Sequence, residues 1–544
     1  MIENIAMIIF SIIMSMMVVF KPIKEIIIKR ENVKKYKYEL MLFVIILIGC
    51  LIRCVGLSDF PRGLNPDETS SAYEAWAISN YGIDRNGNEF PVFLVSWGSG
   101  QNALYTYLLI PFIKLLGLTE FATRLPMAII SCTSLIVIYC LFKEVYNKKM
   151  GVIAAAFLAI CPWHIMKSRY GLESNIFPDI ILLSTLFIAL YIQRKKLKYI
   201  YIAFAILGIS AYTYGTSYFF LPFFAIPLLI YLIYKKKINL KNTLIALVIL
   251  TIIAMPIIIM VIINTFDLPE VKLFGVFTIP RCKSNRYEEM TSVFSKDFLQ
   301  NSIKNVVSSC KLLLYQHDYE FWHAMPIFGI FYIFSIPFTI YGIIKSFSKK
   351  GKDKNAIINF WFGAALLMLF VVKPNVVRIN IIWIPLVMYT IIGIYDFINK
   401  SLKKHIFVIA IYLFGFCAFI TKYFNTSFGY PMFINNAKEV IKYLENKNQK
   451  IYMEYSFKEP YIYVMFYNKM EPEAFADTAQ FFNKNGVFAN VKAIKNYNFY
   501  LPERIENTEN YIYVINKNNN LNIDYNKFNV QEIKNFLILE YKEN

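Results

Sequence analysis

Twelve apolar runs of about membrane-spanning length, alternating with short basic connections, constrain this chain more than any other feature, because a backbone crossing ~30 Å of hydrocarbon must satisfy its own hydrogen bonds as helix. The runs lie at 4–20, 40–57, 122–142, 150–166, 174–192, 199–215, 217–234, 243–263, 325–344, 356–372, 379–398 and 405–422. Over 544 residues, 57% are hydrophobic and 17% aromatic, far from a soluble average. The prediction is a polytopic α-helical membrane protein.

Loop charge sets the orientation. Connections 21–39, 143–149, 193–198, 235–241, 345–354 and 399–404 hold 26 Lys/Arg against 5 Asp/Glu, which places these six in the cytoplasm. Loop 58–121 has the opposite bias, with seven acidic residues against Arg62, Arg85 and Lys114, and faces outward with loop 264–324 and the segment from 425 onward. Run 103–118 carries Pro111 and Lys114 and would invert every later loop if it crossed, so it is read as an interfacial or re-entrant helix. The first run has no basic residues before it and no small-residue cleavage site, and is expected to stay as an uncleaved span. The net charge of +20 sits in the cytoplasmic loops, where anionic lipid headgroups are the natural partner and nucleic acid is not.

The expected organisation is a first span with its basic loop (1–38), a transmembrane domain (39–424) and an extracytoplasmic α/β domain (425–544). In the last, Ala437, Val440, Ile441 and Leu444 repeat at helical spacing, and 450–455, 511–515 and 536–541 read as strands. Cys282 and Cys310 share outer segment 264–324, so a disulfide between them is open to test.

Candidate chemistry begins at Asn65-Pro66-Asp67-Glu68. This reads as a helix start, with Asn65 as N-cap, Pro66 at the first position and Glu68 completing a capping box. The positive end of the helix dipole would hold Asp67 ionised, which suits a base or a metal ligand and does not suit a proton donor. His317-Asp318 and His323 in the later outer loop are candidate metal or acceptor ligands, or else a polar loop anchored by Tyr319 and Trp322; His164 beside Trp163 reads as an interfacial anchor.

Several ordered segments extend the pattern: Gly98-Ser99-Gly100-Gln101-Asn102-Ala103-Leu104-Tyr105, Phe121-Ala122-Thr123-Arg124-Leu125-Pro126, Cys161-Pro162-Trp163-His164, Ser168-Arg169-Tyr170-Gly171-Leu172-Glu173, and Asn375-Val376-Val377-Arg378-Ile379-Asn380. With the acidic pair, this order over residues 40–400 resembles the GT-C type membrane glycosyltransferases that use polyprenyl-phosphate sugars, the class of protein O-mannosyltransferases and lipid A aminoarabinose transferases. Gln101-Asn102-Ala103 stands where aminoarabinose-transferase-like members carry Lys-Pro-Pro, and Glu173 where Asp is usual.

The resemblance implies a GT-C-like fold and transfer, with inversion, of a sugar from a polyprenyl-phosphate donor to a protein, cell-wall polymer or glycolipid at the outer face of a bacterial cytoplasmic membrane. By position, Asp67 is the expected base, with Glu68 orienting it or sharing a divalent cation with it. Arg124, Arg169 and Arg378 are expected at the donor phosphate, and Glu173, Gln101, Asn102, His317, Asp318 and Asn380 are secondary site residues. A phosphate-linked sugar already has a good leaving group, so one carboxylate and one or two cations suffice. The rival readings are a lipid-linked sugar flippase, which would show mid-membrane charges and half-repeats, and a non-catalytic envelope scaffold.

Overall fold

The computed structural model describes residues 2–29, 33–282, 290–293, 296–398, 401–425, 433–454, 459–483, 489–519 and 521–543. It is a multi-pass helical membrane protein. Among the described residues, seven helices are long and apolar enough to cross a membrane: Ile2–Pro22, Glu120–Val145, Glu173–Arg194, Ser217–Tyr234, Leu240–Thr265, Asn380–Phe397 and Leu402–Asn425. Shorter apolar helices occupy Leu197–Ser210, Ile333–Phe347 and Ala356–Val371, and Lys37–Cys54 and Lys148–Ile160 account for the other expected runs. The run expected from 325 becomes helical only at Ile333, because the Gln316 side-chain carbonyl takes the Ile330 and Phe331 amides at 3.1 Å each and holds the preceding residues in turns. Where an interfacial helix is expected, Leu104–Leu116 forms; its 13 residues rise about 20 Å, short of the hydrocarbon thickness.

The chain groups into two compact units. The first comprises Met1–Leu57, Arg124–Met255 and Tyr287–Ser427, and its core is helix on helix. Helices Ile336–Phe347 and Trp383–Phe397 cross closely at Gly342 and Gly393, where the Thr339 and Thr390 hydroxyls meet at 2.7 Å. A buried polar cluster sits at one end of this unit. Arg53 donates to the carbonyls of Gly49, Leu158 and Ala159 and reaches His164 Nδ1 at 2.8 Å, while His164 Nε2 lies 3.3 Å from Asp179, which pairs with Lys167. His164 is therefore not an interfacial anchor: it is fully buried, and so are the charges around it, of which Lys167 pairs with Asp179 and Arg53 is met by backbone carbonyls.

The second unit comprises Ser58–Thr123, Pro256–Arg286 and Phe428–Asn544. Short hairpins β1 (Phe93–Leu94) with β2 (Gln101–Asn102) and β3 (Val271–Leu273) with β4 (Phe277–Ile279) accompany one mixed sheet. That sheet contains β5 (Lys450–Met453), β6 (Gln480–Asn483), β7 (Asn490–Ile494), β8 (Tyr497–Asn498), β9 (Tyr511–Asn516), β10 (Phe528–Ile533) and β11 (Phe536–Tyr541), in the order β10-β11-β9-β5-β8-β7-β6. Only β5 runs parallel to its neighbours β8 and β9. The expected helix forms at Ala437–Leu444 and buries all four of its apolar positions. Cys282 and Cys310 are free thiols.

Candidate functional site

Asp67 occupies the second position of helix Pro66–Tyr81, and the capping box forms. The Asn65 side chain accepts from Asp67 N–H at 2.8 Å, and Glu68 Oε1 accepts from Asn65 N–H at 2.9 Å. Glu68 is fully buried in that role, whereas Asp67 is half-buried. The helix is packed between helices Leu104–Leu116 and Pro460–Tyr467 and buries Ala72, Tyr73 and Ala75.

Trp97 aims the Asp67 carboxylate, donating from Nε1 to Oδ1 at 3.0 Å. The indole is itself fixed. The Arg85 guanidinium stacks 5.3 Å from its ring, Tyr461 meets it edge-on at 5.9 Å, and its carbonyl accepts from Ala489 N–H at 2.9 Å. Arg85 is buried and clamped to Glu74, which takes both its guanidinium and, at 2.9 Å, its backbone N–H; Arg85 also donates to Tyr461 OH at 3.0 Å. Gln101 donates to Ser71 Oγ at 3.0 Å on the first turns of the same helix, and Asn102 is held in the β1–β2 hairpin. Thus the second unit gathers Asp67, Glu68, Gln101 and Asn102, and adds Glu74, Arg85, Trp97 and Tyr461, which the sequence reading missed. The nearest signals were the Trp preceding Gly98-Ser99-Gly100 and the third acid of the helix, Glu74, two turns beyond Asp67.

Removing one partner from a buried ion pair leaves the other charge uncompensated, at a cost of about 3–5 kcal/mol. Glu74→Ala is expected to lower the thermal unfolding temperature and to loosen Trp97, read as a shifted indole emission.

Two carboxyls that feel the Glu74–Arg85 pair titrate unusually high. Burial pushes Asp84 up to about 7, with the Glu74 charge adding to it. Burial also pushes Glu459 up to about 7, against the opposing Arg85 guanidinium and with help from the Asp67 charge. A carboxyl raised on folding binds its proton more tightly in the native state, so its contribution is complete below the unfolded value and disappears as pH rises through about 7. Stability is expected to fall between pH 5 and pH 8, by roughly 2 kcal/mol for Glu459, and Glu459→Gln should flatten that slope in thermal melts.

In the first unit, Arg124 and Arg169 are both buried at the C-terminal end of helix Lys37–Cys54. Arg169 donates to the carbonyls of Ile52, Val55 and Gly56 at 2.6 to 3.0 Å, and Arg124 donates to Leu57 at 3.1 Å. Cations there complement the negative end of the helix dipole and satisfy its orphan carbonyls. Arg378 differs. It is half-buried, and its guanidinium has no hydrogen-bond partner among the described residues.

The loop bearing Arg378 is held by Asp318, whose Oδ2 accepts from Val376 N–H at 2.9 Å and meets His323 Nδ1 at 2.7 Å. Burial pushes the Asp318 carboxyl up, but the His323 pairing and the Val376 and Glu320 amides outweigh it and hold the group below the usual range. His317 packs on Tyr319 with ring centroids 4.6 Å apart. Asn380 donates to Ser174 O at 2.7 Å, joining the turn after Arg378 to the turn that begins with Glu173. No group of three or more His, Cys, Asp or Glu side chains able to hold a metal ion occurs among the described residues.

Comparison with known proteins bears on fold. The family model for dolichyl-phosphate-mannose-protein mannosyltransferase matches residues 102–263. ArnT from Cupriavidus metallidurans bound to undecaprenyl phosphate is similar at 12% identity and a TM-score of 0.53, with 79% of this chain and 84% of that chain covered. The Archaeoglobus fulgidus oligosaccharyltransferase in its apo form is similar at 12% identity and a TM-score of 0.52, covering 80% of this chain. AglB from that organism, in complex with an inhibitory peptide and a dolichol-phosphate, gives 11% identity, a TM-score of 0.52 and 80% coverage. The chain spans 64% of the length of the archaeal enzyme. No curated protein matches in sequence.

Proposed function

We propose that this chain, which shares the GT-C fold of membrane glycosyltransferases, transfers a sugar from a polyprenyl-phosphate carrier to an acceptor hydroxyl on the outer face of a bacterial cytoplasmic membrane. The observation that carries this reading is Asp67, a half-buried carboxylate at the positive end of a helix, aimed by Trp97. Proteins of similar fold are described with undecaprenyl phosphate and dolichol-phosphate bound, which supports a donor of that class.

In this mechanism Asp67 accepts the proton of the acceptor hydroxyl as the oxygen attacks the anomeric carbon. The bond from that carbon to the phosphate oxygen breaks, its electron pair leaves with the polyprenyl phosphate, and configuration inverts. Arg378 is the arginine assigned to the departing phosphate, since Arg124 donates to Leu57 O and three backbone carbonyls occupy the terminal nitrogens of Arg169. Those two arginines keep the end of helix Lys37–Cys54 in shape. Glu68 orients Asp67 through the capping box.

A divalent cation, where used, would be held by Asp67 and Glu68, whose Oδ1 and Oε1 also accept from Trp97 Nε1 and Asn65 N–H. No step is routed through a metal. Asp318 and His323 hold the Arg378 loop in place, and neither is assigned to the acceptor. Mass spectrometry of envelope glycans, glycolipids and glycoproteins from cells with and without the protein tests the proposal. A sugar missing from one acceptor class supports it; identical profiles while the protein is expressed overturn it.

A further inference from the structure

Helix Phe298–Tyr315 is amphipathic in the wrong sense for a helix that meets water. Its small polar side chains Ser302, Asn305 and Ser309 are buried, while Leu299, Ile303, Val307 and Leu314 are 72%, 58%, 50% and 61% exposed. At about 100° per residue these four and the exposed Cys310 fall within an arc of about 80°, with Lys304 and Lys311 along one flank. A continuous apolar stripe facing outward marks contact with something other than water.

Both ends of the helix are tied to the same side of the membrane. Near its start, Ser302 and Ser292 hydroxyls lie 3.3 Å apart, and Ser292 donates to the carbonyl of Phe370 at the end of helix Ala356–Val371. Just past its other end, Gln316 holds the Ile330 and Phe331 amides, which precede helix Ile336–Phe347. Those two helices meet the basic connection 345–354 with their opposite ends, so the loop-charge orientation expects Phe370 and Ile330 on the same, extracytoplasmic side. The 18 residues of the helix, about 27 Å long, therefore run along the membrane and do not cross it. The neighbouring apolar helix Ala356–Val371 also exposes Leu366, Leu367 and Phe370.

We propose that helix Phe298–Tyr315 lies in the outer leaflet of the bilayer, its apolar stripe among the upper acyl chains and Lys304 and Lys311 at phospholipid phosphates, mooring outer segment 264–324. Cys310 lies within the stripe and reports on it directly. In the full-length protein with Cys282→Ser and Cys417→Ser, Cys310 is labelled with a small fluorophore and reconstituted in phosphatidylcholine/phosphatidylglycerol vesicles. Lipids brominated high on the acyl chain are expected to quench it at least about threefold more than aqueous iodide does. Iodide quenching as efficient as for the free dye, with no effect of brominated lipid, would overturn the proposal. Shielding from both quenchers would place protein over the stripe and overturn it equally.

Discussion

Asp67→Asn is expected to lower turnover with a polyprenyl-phosphate sugar by about two to four orders of magnitude, the range lost when a positioned general base is removed. The substitution keeps the side chain's shape, and its amide oxygen can still accept from Trp97 Nε1, now 3.0 Å from Oδ1. Asn65 and Glu68 make the capping box without the Asp67 carboxylate, so the helix start should persist. What is lost is the capacity to take a proton. The affinity for donor lipid should change little, which separates base removal from misfolding. Unaltered turnover would exclude Asp67 as base.

The second large effect is structural. Gly342→Leu is expected to prevent recovery of folded protein, because even a Cβ at that position would sit 1.8 Å from the Tyr389 carbonyl oxygen. The contact is reciprocal: a Cβ at Gly393 would lie 2.0 Å from the Phe338 carbonyl oxygen. Neither obstacle is a side chain that can swing away. The helices would have to separate, breaking the Thr339–Thr390 hydroxyl contact and the Lys345–Asp396 ion pair at 3.0 Å, at a cost of more than about 4 kcal/mol, beyond ordinary overpacking. Gly363→Ala is the matched control. It lies in helix Ala356–Val371 with nothing within 4 Å of the new methyl, and is expected to be neutral or to stabilise by up to about 1 kcal/mol. Size-exclusion profiles and thermal unfolding in one detergent compare the three proteins.

What the sequence revealed was local. Hydrophobic run length and loop charge located the helices, since both act over one segment at a time, and the Asn65-Pro66-Asp67-Glu68 cap was readable because its bonds span three residues. The partners that aim Asp67 were not readable. Trp97 is 30 residues away, and Tyr461 comes from helix Pro460–Tyr467 in the C-terminal segment, so only tertiary folding brings them together. Arg169 shows the same limit from the other side: an arginine at an outer helix end has one appearance in sequence whether it awaits a phosphate or is already committed to three carbonyls. Strand β10 was missed because it lies at the sheet edge, where four consecutive exposed residues interrupt the kind of apolar run that marked β11. Helix Phe298–Tyr315 was missed because small polar residues on its packed face read as surface.

The central claim is that sugar leaves the lipid carrier in a chemical step and is not carried across the bilayer intact. Purified protein in nanodiscs, given a radiolabelled polyprenyl-phosphate sugar and an envelope acceptor extract, should yield free polyprenyl phosphate and labelled acceptor in equal amounts, and the Asp67→Asn protein should yield neither. Intact labelled donor throughout, with label moving between leaflets when vesicles replace nanodiscs, would contradict it.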